Sequence, residues 1–168
     1  MDRYEGFGEF VAARGAALSR TAYLLMGDHH AAADLLQAAL EHTALHWRRV
    51  AAGGDPEAYV RRAMVNQRTS WWRRDRRVVA HGDVPERSVE DEFGRSDDRI
   101  SFAAALRALA PRQRIVVVLR FYEDLTIAET AAVLGCSEGT VKSTTYDALA
   151  RLRRVLPALV DQNGEVGG

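Results

Sequence analysis

Residues 126–143 read Thr126-Ile127-Ala128-Glu129-Thr130-Ala131-Ala132-Val133-Leu134-Gly135-Cys136-Ser137-Glu138-Gly139-Thr140-Val141-Lys142-Ser143. This run has the grammar of two short helices joined by a tight turn. Thr126 and Glu129 form a capping box, in which each side chain satisfies a backbone donor at a helix start. Ala131 is small enough to let two helices cross closely. Gly135 supplies the left-handed backbone that the turn requires. Ser137 is placed to cap the second helix. Val141 pins that helix to the first, and Leu134 adds a core contact. The spacing over 127–146 is that of a helix-turn-helix. The second helix, expected over Glu138–Arg151, is then the one that enters a major groove. Its candidate duplex-binding residues are Ser137, Glu138, Thr140, Lys142, Ser143, Thr145 and Tyr146, with Glu138, Lys142, Ser143, Thr145 and Tyr146 expected to be exposed. A helical hairpin that packs and reads nothing is the competing explanation. The combined spacing favours DNA binding.

Working back along the chain, a third piece of helix carries a different surface. Arg61-Arg62-Ala63-Met64-Val65-Asn66-Gln67-Arg68-Thr69-Ser70-Trp71-Trp72-Arg73-Arg74 sits in a helix expected over about Glu57–Arg74. Guanidinium groups hold phosphates, aromatic faces stack on exposed bases, and asparagine bonds a base edge. Arg61, Arg62, Asn66, Ser70, Trp71, Trp72, Arg73 and Arg74 are therefore candidate DNA-binding residues. Two adjacent residues on a helix point about 100° apart. At least one of Trp71 and Trp72 is expected in the core, and not both. Alternatively the arginines form a solvated face.

The net charge is zero over 168 residues, but it is unevenly spread. Residues 61–79 hold seven arginines and one aspartate, whereas residues 80–100 hold seven acids and three arginines. A basic block beside an acidic one fits a nucleic-acid binder. Apolar residues make up 47% and charged residues 27%, a globular composition. No apolar run reaches the roughly 20 residues that span a bilayer, and the N-terminus lacks a basic-then-apolar leader. These features point to a cytoplasmic protein that does not insert in membranes. Cys136 is the single cysteine, so no internal disulfide forms. His42 and His46 stand four apart, but threonine follows His42 where a metalloprotease has glutamate. No metal site, cofactor loop or catalytic dyad is expected.

The remaining periodicity is helical. Phe7, Phe10, Val11, Leu18 and Leu25 make one apolar face, Gly27 can end that helix, and Asp28 can cap the next. A second helix is expected over Ala33–Trp47, burying Leu36, Leu40 and Trp47. Gly53-Gly54-Asp55-Pro56 breaks the pattern before Val60, Ala63 and Met64. Beyond the acidic stretch, Leu106, Leu109, Val116, Leu119 and Tyr122 recur at helical spacings, and Pro111 suits a helix start. The expected fold is all-α: a helical domain over 1–77, a flexible acidic linker over 78–100, a second helical domain over 101–160, and a tail over 161–168.

Taken together, these pieces resemble the extracytoplasmic-function sigma factors of bacterial RNA polymerase, especially the short actinobacterial type. Tyr23-Leu24-Leu25-Met26-Gly27-Asp28 followed by Asp34-Leu35-Leu36-Gln37 looks like that family's polymerase-binding helix. Tyr59-Val60-Arg61-Arg62 through Asn66 to Arg74 looks like its minus-ten segment. Leu109-Ala110-Pro111-Arg112-Gln113-Arg114, Tyr122, Leu125–Glu129 and Gly135–Ser143 look like its minus-thirty-five domain. The resemblance runs from about Phe7 to Leu156. It implies core polymerase and promoter DNA as partners, an anti-sigma factor as a further one, and no catalysis by the chain itself. It also implies that Asp34, Leu35 and Gln37 dock on polymerase. Ala33 and Ala38 stand where family members often carry acids, and Thr144 and Asp147 where the recognition helix often carries a further base. A helix-turn-helix regulator acting without polymerase is the rival reading, though it has no need of the arginine-tryptophan helix.

Overall fold

Gly27 adopts φ 73°, and its N–H donates to the Tyr23 carbonyl at 2.7 Å, which closes the first helix. Asp28 then accepts from the Ala31 N–H at 2.9 Å and opens the second. Two residues of local chemistry thus set the corner between α1 (Phe7–Met26) and α2 (His29–Leu45). Two helices follow, α3 (Trp47–Ala52) and α4 (Pro56–Val79). The computed structural model describes residues 2–79 and 97–163, with side chains over 2–74 and 102–156. The chain divides into two compact units, Met1–Val84 and Pro85–Gly168. All regular structure among the described residues is helical.

In the first unit α1, α2 and α4 pack on one another. Leu18, Ala22, Tyr23 and Leu25 of α1 meet Ala32, Leu35 and Ala39 of α2 and Val60, Met64 and Val65 of α4 in the core. The expected buried face of α2 needs correction. Leu36 and Leu40 are only half-buried, and the inward line is Ala32, Leu35, Ala39 and Thr43. Small residues on that line let the helices approach closely, so the helix turns its alanines inward and leaves Leu36 and Leu40 at the margin. Thr43 is tolerated inside because its hydroxyl donates to the Ala39 carbonyl at 2.7 Å. Trp47 is buried as expected, but it begins α3 rather than ending α2. Its Nε1 donates to the Glu5 carbonyl at 2.7 Å, and its ring lies 5.2 Å from Phe7 and 5.4 Å from Phe10.

The second unit comprises α5 (Asp97–Arg107), α6 (Pro111–Val117), α7 (Ile127–Leu134) and α8 (Glu138–Asn163). Helices α5, α6 and α7 all pack against α8. Ile115 to Leu119 are five consecutive buried residues, so this stretch is enclosed on every side. From α6 the chain runs straight into a π-helical turn over Val118–Tyr122, where the Glu123 N–H reaches the Val118 carbonyl at 2.9 Å. The wider turn breaks the period that links Leu119 to Tyr122. Phe121 and Tyr122 therefore emerge at the surface, 51% and 41% exposed. The helical spacing of Tyr122 does not carry it into the core.

Residues 80–96 of the stretch expected as linker lie outside the described residues. Both ends of that stretch are helical: 78–79 close α4, and 97–100 open α5. Asp97 and Asp98 suit a helix start, where the backbone dipole favours negative charge. At the other end, α8 runs to Asn163, past the Arg151 end expected for the recognition helix and into the stretch expected as a tail.

Candidate nucleic-acid and polymerase interfaces

The turn between α7 and α8 is built as its residues dictate. Thr126 Oγ1 accepts from the Glu129 N–H at 3.1 Å, and Glu129 Oε2 accepts from the Thr126 N–H at 2.7 Å. Gly135 takes φ 65°, and Ser137 Oγ accepts from the Thr140 N–H at 3.1 Å. Val141, fully buried, closes on Ala131 and Val116, with Ile127, Leu134 and Cys136 packed around them. The helix-turn-helix expected over 127–146 is therefore present, and Cys136 serves it as a small packing residue.

The capping box gives this unit an acid-sensitive element. The Thr126 backbone N–H, and secondarily the Thr126 side chain, hold the Glu129 carboxyl below its ordinary range. A carboxyl depressed in the folded state adds stability above its unfolded pKa and loses it as pH falls through the folded value. Glu129→Gln removes this charge, so the variant is expected to melt below the parent at neutral pH, with a flatter acid limb and a difference that vanishes as pH falls. Thermal melts on a falling pH series check this, and an unchanged acid limb would count against it.

Four of the seven residues expected on the recognition helix project outward. Glu138, Lys142 and Tyr146 stand four apart on one exposed line, with Ser143 and Asp147 beside it. Tyr146 is 71% exposed. The other three serve the helix itself. The hydroxyls of Ser137 and Thr140 bond each other at 2.9 Å at the cap. Thr145, expected to be exposed, is half-buried and donates to the Val141 carbonyl at 2.7 Å. It stands one turn beyond buried Val141, which draws it inward. The Ser143 hydroxyl likewise donates to the Thr140 carbonyl at 3.1 Å.

On α4, Arg62, Asn66, Ser70, Arg73 and Arg74 share one exposed face, opposite Val60, Met64 and Val65. The spacing of three to four residues gathers two guanidiniums, an amide and a hydroxyl on a single stripe before Arg74. Arg61 is set apart: it is half-buried, with Nη2 3.7 Å from Glu57, which also meets Arg14 at 3.4 Å. Trp71 and Trp72 are both half-buried, so neither is the core residue expected of the pair. The inward arc of α4 faces both α1 and α2 and is wide. Adjacent side chains about 100° apart thus fall on its two margins. Each is therefore partly accessible.

On α2, Asp34 and Gln37 are exposed, but Leu35 is not. Leu35 has no accessible surface, so it holds α2 in the core and is withdrawn from the docking set. Sequence reading missed Glu41. It is exposed one turn beyond Gln37, whose Nε2 donates to it at 3.1 Å. Asp34, Gln37 and Glu41 make a polar stripe that the i, i+3, i+7 spacing would have revealed. Beyond it, His42 and His46 have ring centroids 5.0 Å apart, and Tyr59 Oη lies 3.4 Å from His42 Nδ1. No three metal-ligating side chains gather among the described residues.

A helical unit ending in an arginine-bearing helix, together with a second unit built on a helix-turn-helix, defines a DNA-binding protein of all-α class. The family model described as sigma-70, region 4 matches residues 99–152. An RNA polymerase sigma-E factor of Streptomyces avermitilis is 47% identical over 151 residues, covering 89% of this chain and 84% of the relative. The RNA polymerase sigma factor SigL of Mycobacterium tuberculosis, of extracytoplasmic-function type, is 33% identical over 152 residues, 86% of this chain and 85% of that one. Among solved structures, the sigma factor RpoE of Bartonella quintana, in complex with the anti-sigma factor NepR, superposes with a TM-score of 0.70 at 26% identity. That match covers 90% of this chain and 96% of the other. The chain belongs to the extracytoplasmic-function sigma factors of RNA polymerase. No helix among the described residues is long and apolar enough to cross a membrane.

Proposed function

We propose that this chain binds core RNA polymerase in the cytoplasm and directs it to promoters without itself catalysing a reaction. The Asp34, Gln37 and Glu41 stripe docks the first unit on polymerase. The α4 stripe, with the half-buried Trp71 and Trp72, takes the minus-ten element and holds an opened strand. The outward line of α8 takes the minus-thirty-five duplex. The observation that carries this reading is the gathering of Arg62, Asn66, Ser70 and Arg73 on one exposed face of α4. Duplex binding by α8 alone gives no reason for that face. An anti-sigma factor is the further partner proposed, by similarity to the Bartonella quintana protein solved with one.

Transcription in vitro with core polymerase and this chain, followed by start-site mapping, tests the proposal. Initiation at defined sites that requires the chain is expected. Duplex binding without any such initiation would favour a regulator that acts apart from polymerase. Asp34→Arg combined with Gln37→Ala is expected to lower affinity for core polymerase at least tenfold. Both side chains are exposed, so circular dichroism should match the parent. A folded double variant with undiminished affinity would remove α2 from the docking surface.

A further inference from the structure

The outward line of α8 has an unusual charge for a helix placed against DNA. Its exposed ionisable residues through Asp147 are Glu138, Lys142, Tyr146 and Asp147, so the line holds two acids and a single cation. Nearby hydroxyls are engaged locally: Ser137 and Thr140 are joined at the cap, while Ser143 and Thr145 donate to their own helix. Glu138 and Lys142 stand one turn apart, a separation that suits an ion pair, yet none joins them. Both reach outward from the first turns of the helix, the part that meets base edges in this motif.

A carboxylate in a groove walled by phosphates is repelled by almost everything there. Guanine N7 and O6, adenine N7 and thymine O4 are all acceptors. Only an exocyclic amino group welcomes it, and the fitting partner is the N4 amino group of cytosine. An ammonium group finds its best partner in the O6 and N7 acceptors of guanine. The helix rises about 6 Å over four residues, against about 3.4 Å per base step. We infer that Glu138 and Lys142 act as a paired reader of the duplex, Glu138 selecting a cytosine and Lys142 a guanine about two base steps away. The inference rests on α8 being the duplex-binding helix, and it assigns the chemistry by which that helix selects sequence.

The test uses core polymerase with the full chain and a promoter library randomised through the minus-thirty-five element, with the bound fraction sequenced. The parent should enrich a cytosine and a guanine about two steps apart, each by roughly 5- to 100-fold over the other bases. Glutamine pairs bidentately with adenine. Glu138→Gln should therefore move the cytosine position to adenine and leave the guanine alone. Glu138→Ala should erase the cytosine preference without creating another, and Lys142→Gln should change only the guanine. If the parent enriches a defined element that Glu138→Gln leaves intact, the paired reader is overturned while duplex reading by α8 stands. If the parent enriches nothing upstream, the assignment of α8 to the minus-thirty-five duplex falls, and the reader falls with it.

Discussion

Asn66→Ala is expected to reduce promoter opening by roughly 5- to 100-fold, the value of one well-made base contact. Arg62→Ala on the same stripe should lower the salt dependence by about one unit of slope, because one fewer phosphate is neutralised. Both residues are exposed and remote from Val60, Met64 and Val65, so neither change should disturb folding. Lys142→Ala should do the reverse, weakening capture of the upstream duplex while a template with a preformed bubble is still used. Permanganate footprinting reads the bubble, and transcription from a mismatched template reads capture alone. Equal defects from Asn66→Ala and Lys142→Ala on both templates would show that the two surfaces do not divide the work.

The second large effect is on stability. Trp47→Ala should cost about 3–5 kcal/mol, the usual range for truncating a buried aromatic residue. A domain has only about 5–15 kcal/mol in all. The loss has three physical parts: contact with Phe7 and Phe10, the filled volume, and the bond from Nε1 to the Glu5 carbonyl. Trp47→Phe restores most of the first two and forfeits the third, so it should cost roughly 1–2 kcal/mol. Urea titration followed by circular dichroism measures both. A Trp47→Ala midpoint equal to the parent's would mean that the N-terminal residues do not rely on this ring.

Features governed by neighbours in the chain were the legible ones. Gly27 and Asp28 mark a corner because one tolerates positive φ and the other reaches an N–H three residues on. Thr126 and Glu129 act within a single turn, and Ala131, Gly135 and Val141 keep the spacing of a two-helix unit. What escaped depends on contacts distant in sequence. Leu35 and Leu36 are the same residue type side by side, so composition cannot say which enters the core. The close approach of α1 and α4 to Ala32 and Ala39 decides it. Trp71 and Trp72 fall on two margins because α4 is flanked on both sides. The π turn after Val117 has no local signature and left Tyr122 on the wrong side of a regular helix. Glu41 gives no signal beside Asp34 and Gln37 in the linear sequence, because only the helix brings it next to Gln37 one turn along.

The locally bonded hydroxyls of α8 limit how much information the second unit can hold. With Ser137, Thr140, Ser143 and Thr145 bonded within their own helix, few side chains remain to distinguish one base pair from another. With Glu138 and Lys142 as the proposed readers, two pairs would be specified, a word that chance supplies at roughly one position in sixteen. Such a word cannot single out a promoter in a genome offering millions of competing sites. Selectivity must then come from coincidence, with two short words, one per unit, found at the correct separation. Tethering two weak interactions in this way multiplies their discrimination only when the geometry lets both engage together. The distance between promoter elements thus becomes part of the recognised text, and inserting a base pair between them should silence a promoter as surely as mutating either word.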